Sequence, residues 1–293
     1  MDDWLPASGR TRGRTAAADR TAAGAAWMCA VIVTLAFGWI AADLLWHGLS
    51  RLTPGFLFEM PQLSGRAGGL ASIIVSTLAI LAICLAAAVP IGLGAAILLA
   101  EYSRSDRRLG RFVRRSLDVL AGVPSIVFGL FGNAFFCVYL GMGFSLLAGG
   151  LTLACMVLPL LIRSLEQGLR EVPDDWRNAA AALGMSKAAT LRSILLPAAL
   201  PGLVVGLVLG MGRALAETAA LLFTSGYVMR MPGSVMDSGR ALSIHIFDLS
   251  MNVPGGTGNA YGAAVVLLLM LLTVNLLALA IARRWQLTQP GPL

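Results

Sequence analysis

Charged residues are scarce in this sequence. Asp, Glu, Lys and Arg make up 13% of the 293 residues, whereas hydrophobic residues make up 57%, and the mean hydropathy is +0.79. A water-soluble domain of that composition would expose large apolar surfaces, so a lipid bilayer is the natural solvent for the chain. Lysine is rarer still: Lys187 is the only one, and it follows Ser186. Because a P-loop needs Gly before its Lys, the chain has no P-loop for ATP hydrolysis.

Residues that build metal, redox and nucleophilic sites are also few. The sequence has four cysteines and two histidines, without a CxxC pair. The cysteines all lie in apolar stretches with no neighbouring His, which argues against a zinc site. Ser/His/Asp and Cys/His arrangements for catalysis are missing as well. We therefore expect this chain to be neither an enzyme nor the holder of a cofactor.

Long apolar stretches dominate what is present. Each is long enough to cross a bilayer, and a lone span must satisfy its backbone hydrogen bonds internally, which only a helix does. Nothing in these stretches alternates as barrel strands do. The sequence predicts an all-α integral membrane protein with six transmembrane helices, at 25–46, 71–99, 117–140, 146–162, 198–224 and 260–282.

The regions between the spans define the predicted domains. Residues 1–24 lack hydrophobic periodicity, so we expect a disordered cytoplasmic tail. Residues 25–70 are predicted to hold the first transmembrane helix and an external loop. The main transmembrane domain is expected at 71–284, with a cytoplasmic loop at 171–197, and a second cytoplasmic tail at 285–293.

Basic residues indicate the orientation. Most of the 22 Lys and Arg lie in four segments that six spans place on one side of the membrane. The positive-inside rule makes that side cytoplasmic, together with both termini. A pI of 9.9 therefore reflects orientation and does not indicate a nucleic-acid partner. The four segments are 10–20, 101–116, 163–197 and 283–284.

The cytoplasmic loop contains a short helix pattern. Pro173 suits a first helical turn, and Gly184 can end the helix in a left-handed conformation. A helix of about ten residues is unstable alone in water and needs a partner surface. That surface is either the chain's own membrane domain or a groove on another protein. The predicted small apolar face consists of Trp176, Ala179, Ala180 and Leu183.

The fifth span carries two charges. Gly202, Gly206 and Gly210 recur every fourth residue, so another helix can pack closely there. Helical spacing places Arg213 and Glu217 on that face, with Arg213 about 20 Å into the span. One interpretation is a structural i,i+4 ion pair. The other is an anion site, in which Arg213 donates to an oxyanion and Glu217 keeps the empty site neutral.

Several motifs resemble those of known transport proteins. The loop fits the pattern E-A-A-x3-G-x9-I-x-L-P, with Asn178 in place of the acidic residue, and it resembles the loop by which ABC importer permeases engage their ATPase. The stretches 88–102, 116–132 and 210–224 are similar to phosphate permeases of the PstA type. The positions that match the loop pattern are Ala179, Ala180, Gly184, Ile194, Leu196 and Pro197.

This resemblance implies a type I ABC importer permease fold in a bacterial inner membrane. It implies four kinds of partner: a homologous PstC-type permease, an ABC ATPase dimer that carries ATP and Mg, a periplasmic phosphate-binding protein, and inorganic phosphate. The pathway would include Arg213, Glu217 and Arg163. For Arg163 the sequence alone favours a guanidinium among the lipid headgroups, and it is the resemblance that places this residue in the pathway. The ATPase would dock on Trp176, Asn178, Ala179, Ala180, Leu183 and Gly184.

Two alternatives stay open. The chain could be the PstC-type partner or a permease for sulfate, molybdate or phosphonate. The second alternative, from another class, is an ion-coupled secondary transporter, which predicts uptake without ATP and two inverted repeats.

Overall fold

The computed structural model describes residues 11–103 and 108–287, and this part of the chain is mostly helical. Its only strands form a small antiparallel hairpin of β1 (Pro61–Gln62) and β2 (Ala67–Gly68), and its longest non-helical segment is 223–241. The predicted all-α architecture is confirmed. The helices are α1 (Thr11–Leu49), α2 (Pro54–Phe58), α3 (Ala71–Ile97), α4 (Arg108–Ala121), α5 (Ser125–Gly132), α6 (Leu146–Glu171), α7 (Asp174–Ala182), α8 (Lys187–Thr190), α9 (Leu196–Ala198), α10 (Leu200–Ala216), α11 (Ala219–Leu222), α12 (Leu242–Met251) and α13 (Thr257–Leu287).

Three short π-helical segments extend these helices. Leu98–Tyr102 continues α3, Asn133–Tyr139 continues α5, and Leu191–Leu195 joins α8 to α9. With these extensions, four helices in the described ranges are long and apolar enough to span a membrane, and two bent pairs raise that number to six. Each of the six predicted spans overlaps one of these elements, but the third and fifth, 117–140 and 198–224, overlap bent pairs that cover 110–139 and 187–216.

The first helix begins earlier than the sequence indicated. α1 starts at Thr11 and runs unbroken to Leu49, so a disordered tail over 1–24 is wrong for residues 11–24. Alanine is the strongest helix former, and the Ala-rich stretch between Thr15 and Ala26 extends the apolar helix N-terminally. Residues 1–10 and 288–293, which include most of the second predicted tail, lie outside the described residues.

The third predicted span, 117–140, is two helices instead of one. Pro124 ends the extended turn between α4 and α5, and the axes of 110–121 and 125–139 differ by 101°. Pro restricts the preceding residue away from helical geometry, which explains where the helix breaks. α4 therefore lies nearly perpendicular to the segment that follows it.

The core forms where α6 packs between α3 and α10. Gly202 lies against Gly168, so a Cβ at Gly202 would come within 2.7 Å of the Gly168 Cα. A Cβ at Gly210 would come within 2.7 Å of Val157. The predicted close packing of another helix on the glycine row is confirmed, and that helix is α6.

A second cluster covers the other end of the molecule. Phe56, Leu70 and Leu242 pack against α13 beneath the hairpin. On α12, the buried His245 lies beside Arg240 and Asp248, whose side chains form an ion pair at 2.8 Å. This second cluster, together with the ion pair on α12, holds the segment between α11 and α13 against the membrane helices.

Candidate functional site

The short helix α7 is the first functional element. Asp174 and Asp175 lie in its first turn, where carboxylates complement the positive end of the helix dipole. Gly184 follows the helix with φ +72°, and there is open space where a side chain would be. A left-handed residue at this position ends the helix sharply, as expected from the sequence.

Most residues of the predicted docking face are exposed. Trp176 is 40% and Leu183 80% exposed, and Asn178 and Ala179 are exposed too. Ala180 is different, because it is only 1% exposed. Its assignment to the docking face is therefore wrong, because a buried side chain is not accessible to a partner. The remaining residues leave an apolar ridge open to a partner.

Arg177 anchors α7 to two membrane helices. Its guanidinium lies 2.7 Å from the Glu101 carboxylate at the end of the α3 extension. It also donates hydrogen bonds to the carbonyls of Leu169 and Val172, at the end of α6 and just beyond it, at 2.8 and 2.7 Å. Hydrogen bonding to Glu101 raises the pKa of Arg177 above its ordinary value. A displacement of α7 would therefore pull directly on α3 and α6.

A charge cluster lies near the end of α6. Glu166, whose side chain is 5% exposed, pairs with Arg114 of α4 at 2.7 Å and with Arg170 at 3.0 Å. Arg163 forms an ion pair with Asp118 of α4 and donates to the Arg114 carbonyl at 2.9 Å. The cluster fastens α4 to α6, and Arg163 has protein partners that neither sequence interpretation included.

The pair predicted in the fifth span is not formed. α10 ends at Ala216, and Glu217 is extended with φ −72° and ψ 126°. Its carboxylate accepts a hydrogen bond from the Ala220 N–H at 3.1 Å, and its carbonyl accepts one from Ser243 at 2.6 Å. These side-chain bonds satisfy the backbone where the helix is interrupted. A continuous helix over 198–224 with Arg213 and Glu217 one turn apart is therefore wrong.

Arg213 also lies on a different side of α10 than predicted. It is exposed, whereas the buried positions near it are Met211, Ala214 and Leu215. The buried row continues from Gly206 and Gly210 to Ala214, and because a four-residue step rotates by about 40° around an α-helix, the row moves away from Arg213. Within the described residues, the Arg213 side chain has no hydrogen bond or ion pair. Its five N–H donors are thus available to a ligand or to another chain.

Sequence reasoning missed Arg177, Glu101 and Glu166. Each is a single charge next to an apolar stretch, which was the available signal. Their pairing joins residues up to 76 positions apart, and no local pattern indicates such a contact. Ser243 donates to the Glu217 carbonyl from another helix, and no local sequence pattern indicates that contact either.

Comparison with known proteins identifies the family. Residues 88–286 match the model of the binding-protein-dependent transport system inner membrane component. A probable ABC transporter permease, YqgI of Bacillus subtilis, is 30% identical over 91% of this chain and 94% of its own length. The phosphate transport system permease protein PstA 1 of Mycobacterium tuberculosis is 37% identical over 84% of this chain and 79% of its own length.

Solved structures support the fold. A bacterial ABC transporter that imports alginate has a chain that matches with a TM-score of 0.66 at 15% identity, covering 93% of this chain and 99% of that one. A chain of the MetNI methionine ABC transporter, in an inward-facing conformation, matches with a TM-score of 0.59 at 21% identity, covering 73% and 96%. The predicted type I ABC importer permease fold is confirmed. This chain belongs to the binding-protein-dependent transport inner membrane family and is an ABC permease of the PstA type.

Proposed function

We propose that this permease subunit forms half of a pathway that imports inorganic phosphate. The single observation that carries the proposal is Arg213, an exposed guanidinium that lies on an apolar helix and has no hydrogen bond or ion pair in the part of the chain that the structure describes. Arg213 lies in the last turn of α10, the second helix of a bent pair that is long and apolar enough to span a membrane, and an ionisable side chain in such a span is a candidate functional residue by default. Relatives named as phosphate transport permeases agree with an oxyanion as its ligand.

In this proposal Arg213 binds phosphate through charge-assisted hydrogen bonds. Glu217 acts as a positioning residue, because its carboxylate and carbonyl fix the interruption beyond α10. Arg163 is a second pathway position, at which phosphate would compete with Asp118 for the guanidinium. The other half of the pathway would come from a PstC-type permease, and a periplasmic phosphate-binding protein would deliver the ligand.

Energy would come from an ABC ATPase dimer that holds ATP and Mg. We propose that it docks on the exposed ridge of Trp176, Asn178, Ala179, Leu183 and Gly184. Closure of the ATPases would displace α7, and the bonds of Arg177 would pass that displacement to α3 and α6. The membrane helices would then alternate between outward-open and inward-open arrangements.

The first test is Arg213→Ala in the reconstituted complex, measured by phosphate uptake into proteoliposomes. We expect uptake to be lost while the subunits still co-purify, because the substitution removes the anion's donors from an exposed position. Arg230→Ala, in an exposed loop position, is the matched control and should transport normally. Wild-type uptake by Arg213→Ala would refute the proposal.

The substrate requires a separate experiment. Binding proteins loaded with phosphate, sulfate, molybdate or phosphonate are added in turn to the complex, and ATP hydrolysis is measured. Stimulation by the phosphate-loaded protein alone is expected. Stimulation by a binding protein loaded with another oxyanion would change the proposed substrate, and the transporter would still be an ABC importer. Uptake by this chain without ATP would indicate a secondary transporter.

A further inference from the structure

The arginines of α4 divide into two sets by the side of the helix they occupy. Arg114 faces inward and pairs with Glu166, while Leu117 packs into the core at 9% exposed. Arg108, Arg111 and Arg115 are all exposed, and within the described residues none of them has an ion pair. Spacings of three and four residues place these three on one side of the helix.

Apolar side chains lie directly beside this basic side. Phe112 follows Arg108 by four residues and is 68% exposed, and Val119 follows Arg115 by four and is 70% exposed. Neither packs on the described chain to any large extent. A helix with one apolar strip, one arginine strip and one side fixed to protein has the composition of an interfacial helix.

The fold also orients α4 along a membrane surface. Its axis is 101° from that of 125–139, so α4 runs nearly parallel to the bilayer if the following segment crosses it. The ion pairs of Arg114 and of Asp118 with α6 hold it there. Phe112 and Val119 would then reach the acyl chains, and the arginines would remain at headgroup level.

We infer that the outer side of α4, formed by Arg108, Arg111, Phe112, Arg115 and Val119, binds anionic phospholipid of the inner leaflet. Charge decides the occupant, because three unpaired guanidiniums match phosphate-bearing headgroups of net negative charge. A zwitterionic headgroup would satisfy them less well. The inference depends only on the membrane location of the family and is independent of which solute is transported.

The test uses the full chain in nanodiscs of equal parts phosphatidylcholine and phosphatidylglycerol. After transfer to mild detergent, the retained lipids are quantified by mass spectrometry. Wild-type protein should retain phosphatidylglycerol preferentially. In the combined variant Arg108→Gln, Arg111→Gln, Arg115→Gln this preference should fall by at least about fivefold, which is the factor that one arginine near an anionic surface contributes.

Two matched variants make the result specific. The combination Arg51→Gln, Arg66→Gln, Arg230→Gln removes the same charge from exposed positions elsewhere and should keep the wild-type preference. Replacing the three α4 arginines by Lys should largely restore it. Equal retention of both lipids by wild type, or unchanged preference in the glutamine variant, would overturn the inference. If the glutamine variant kept the lipid preference but no longer co-purified with the partner subunits when expressed with them, this side of α4 would instead be assigned to a protein contact.

Discussion

At the scale of single residues, the partner of each arginine determines its function. Arg114, Arg163 and Arg177 are held by carboxylates and join helices. Arg213 has no such partner in the described chain and is free for a ligand. The sequence alone does not show which arginine joins helices and which one is open to a ligand, because both have the same side chain. The distinction comes from contacts between helices that are distant in the sequence.

His245 gives a prediction at this scale. Its ring is fully buried without a hydrogen-bond partner in the described chain. Burial, with the nearby Arg240 charge, lowers its pKa from 6.5 to about 4, while Asp248 opposes the shift. Since the unfolded chain binds the proton more readily, the fold should lose stability as pH falls from 6.5 toward 4 and keep it above 6.5.

The measurement is the melting temperature of the full chain in nanodiscs between pH 7 and pH 4. The melting temperature of wild type should fall with pH, and the corresponding decrease in its free energy of unfolding should approach about 3 kcal/mol. His245→Met, of similar volume and without a titrating group, should show a shallower dependence over the same range. Identical curves for the two proteins would show that another group controls the acid sensitivity.

At the scale of elements, α7 depends on the membrane helices that it is proposed to move. It is too short to be stable by itself, and Arg177 ties it to α3 and α6. The helix interruption at Glu217 also depends on other residues. It is stabilised by the Ala220 N–H, which donates to the Glu217 carboxylate, and by the Ser243 hydroxyl, which donates to the Glu217 carbonyl. Local structure in this protein is therefore set by contacts between elements.

Arg177 allows the proposed coupling to be tested. Arg177→Ala removes the bonds to Glu101, Leu169 and Val172, so ATPase motion should no longer reach α3 and α6. We expect the ATPase subunits to co-purify, phosphate uptake to fall roughly tenfold, and ATP hydrolysed per phosphate to rise, a scale typical of lost coupling.

Glu101→Gln should give a smaller defect in the same direction, because it weakens only one of these bonds. Arg192→Ala, an exposed arginine in the π-helical segment after α8, is the matched control. Normal uptake by Arg177→Ala would mean that α7 transmits force by another route.

At the scale of the whole molecule, the sequence predicted the spans and the glycine contact because both depend on local patterns. Apolar length identified the four long apolar helices and the two bent pairs, and four-residue spacing identified Gly202 and Gly210. It failed where the outcome depended on distant residues. The end of α10 depends on Ser243, the anchoring of α7 depends on Glu101, and the position of Arg163 depends on Asp118.

The membrane topology depends on the two bent helix pairs. The two bent pairs either cross the membrane or re-enter it, which gives six or four spans. With six, α7 is cytoplasmic and α12 external. With four, α6 would carry the chain outward, and both α7 and α12 would be external. The positive-inside rule favours six, because α7 lies in a basic segment.

Cysteine labelling in intact cells distinguishes the six-span topology from the four-span topology. Leu183→Cys reports on α7 and Met251→Cys on α12, at positions 80% and 72% exposed. In a background without the four native cysteines, an impermeant thiol reagent should label Met251→Cys directly and Leu183→Cys only after permeabilisation. Labelling of both in intact cells would place α7 outside. An ATPase in the cytoplasm could then not reach the ridge, and the proposed coupling would be wrong.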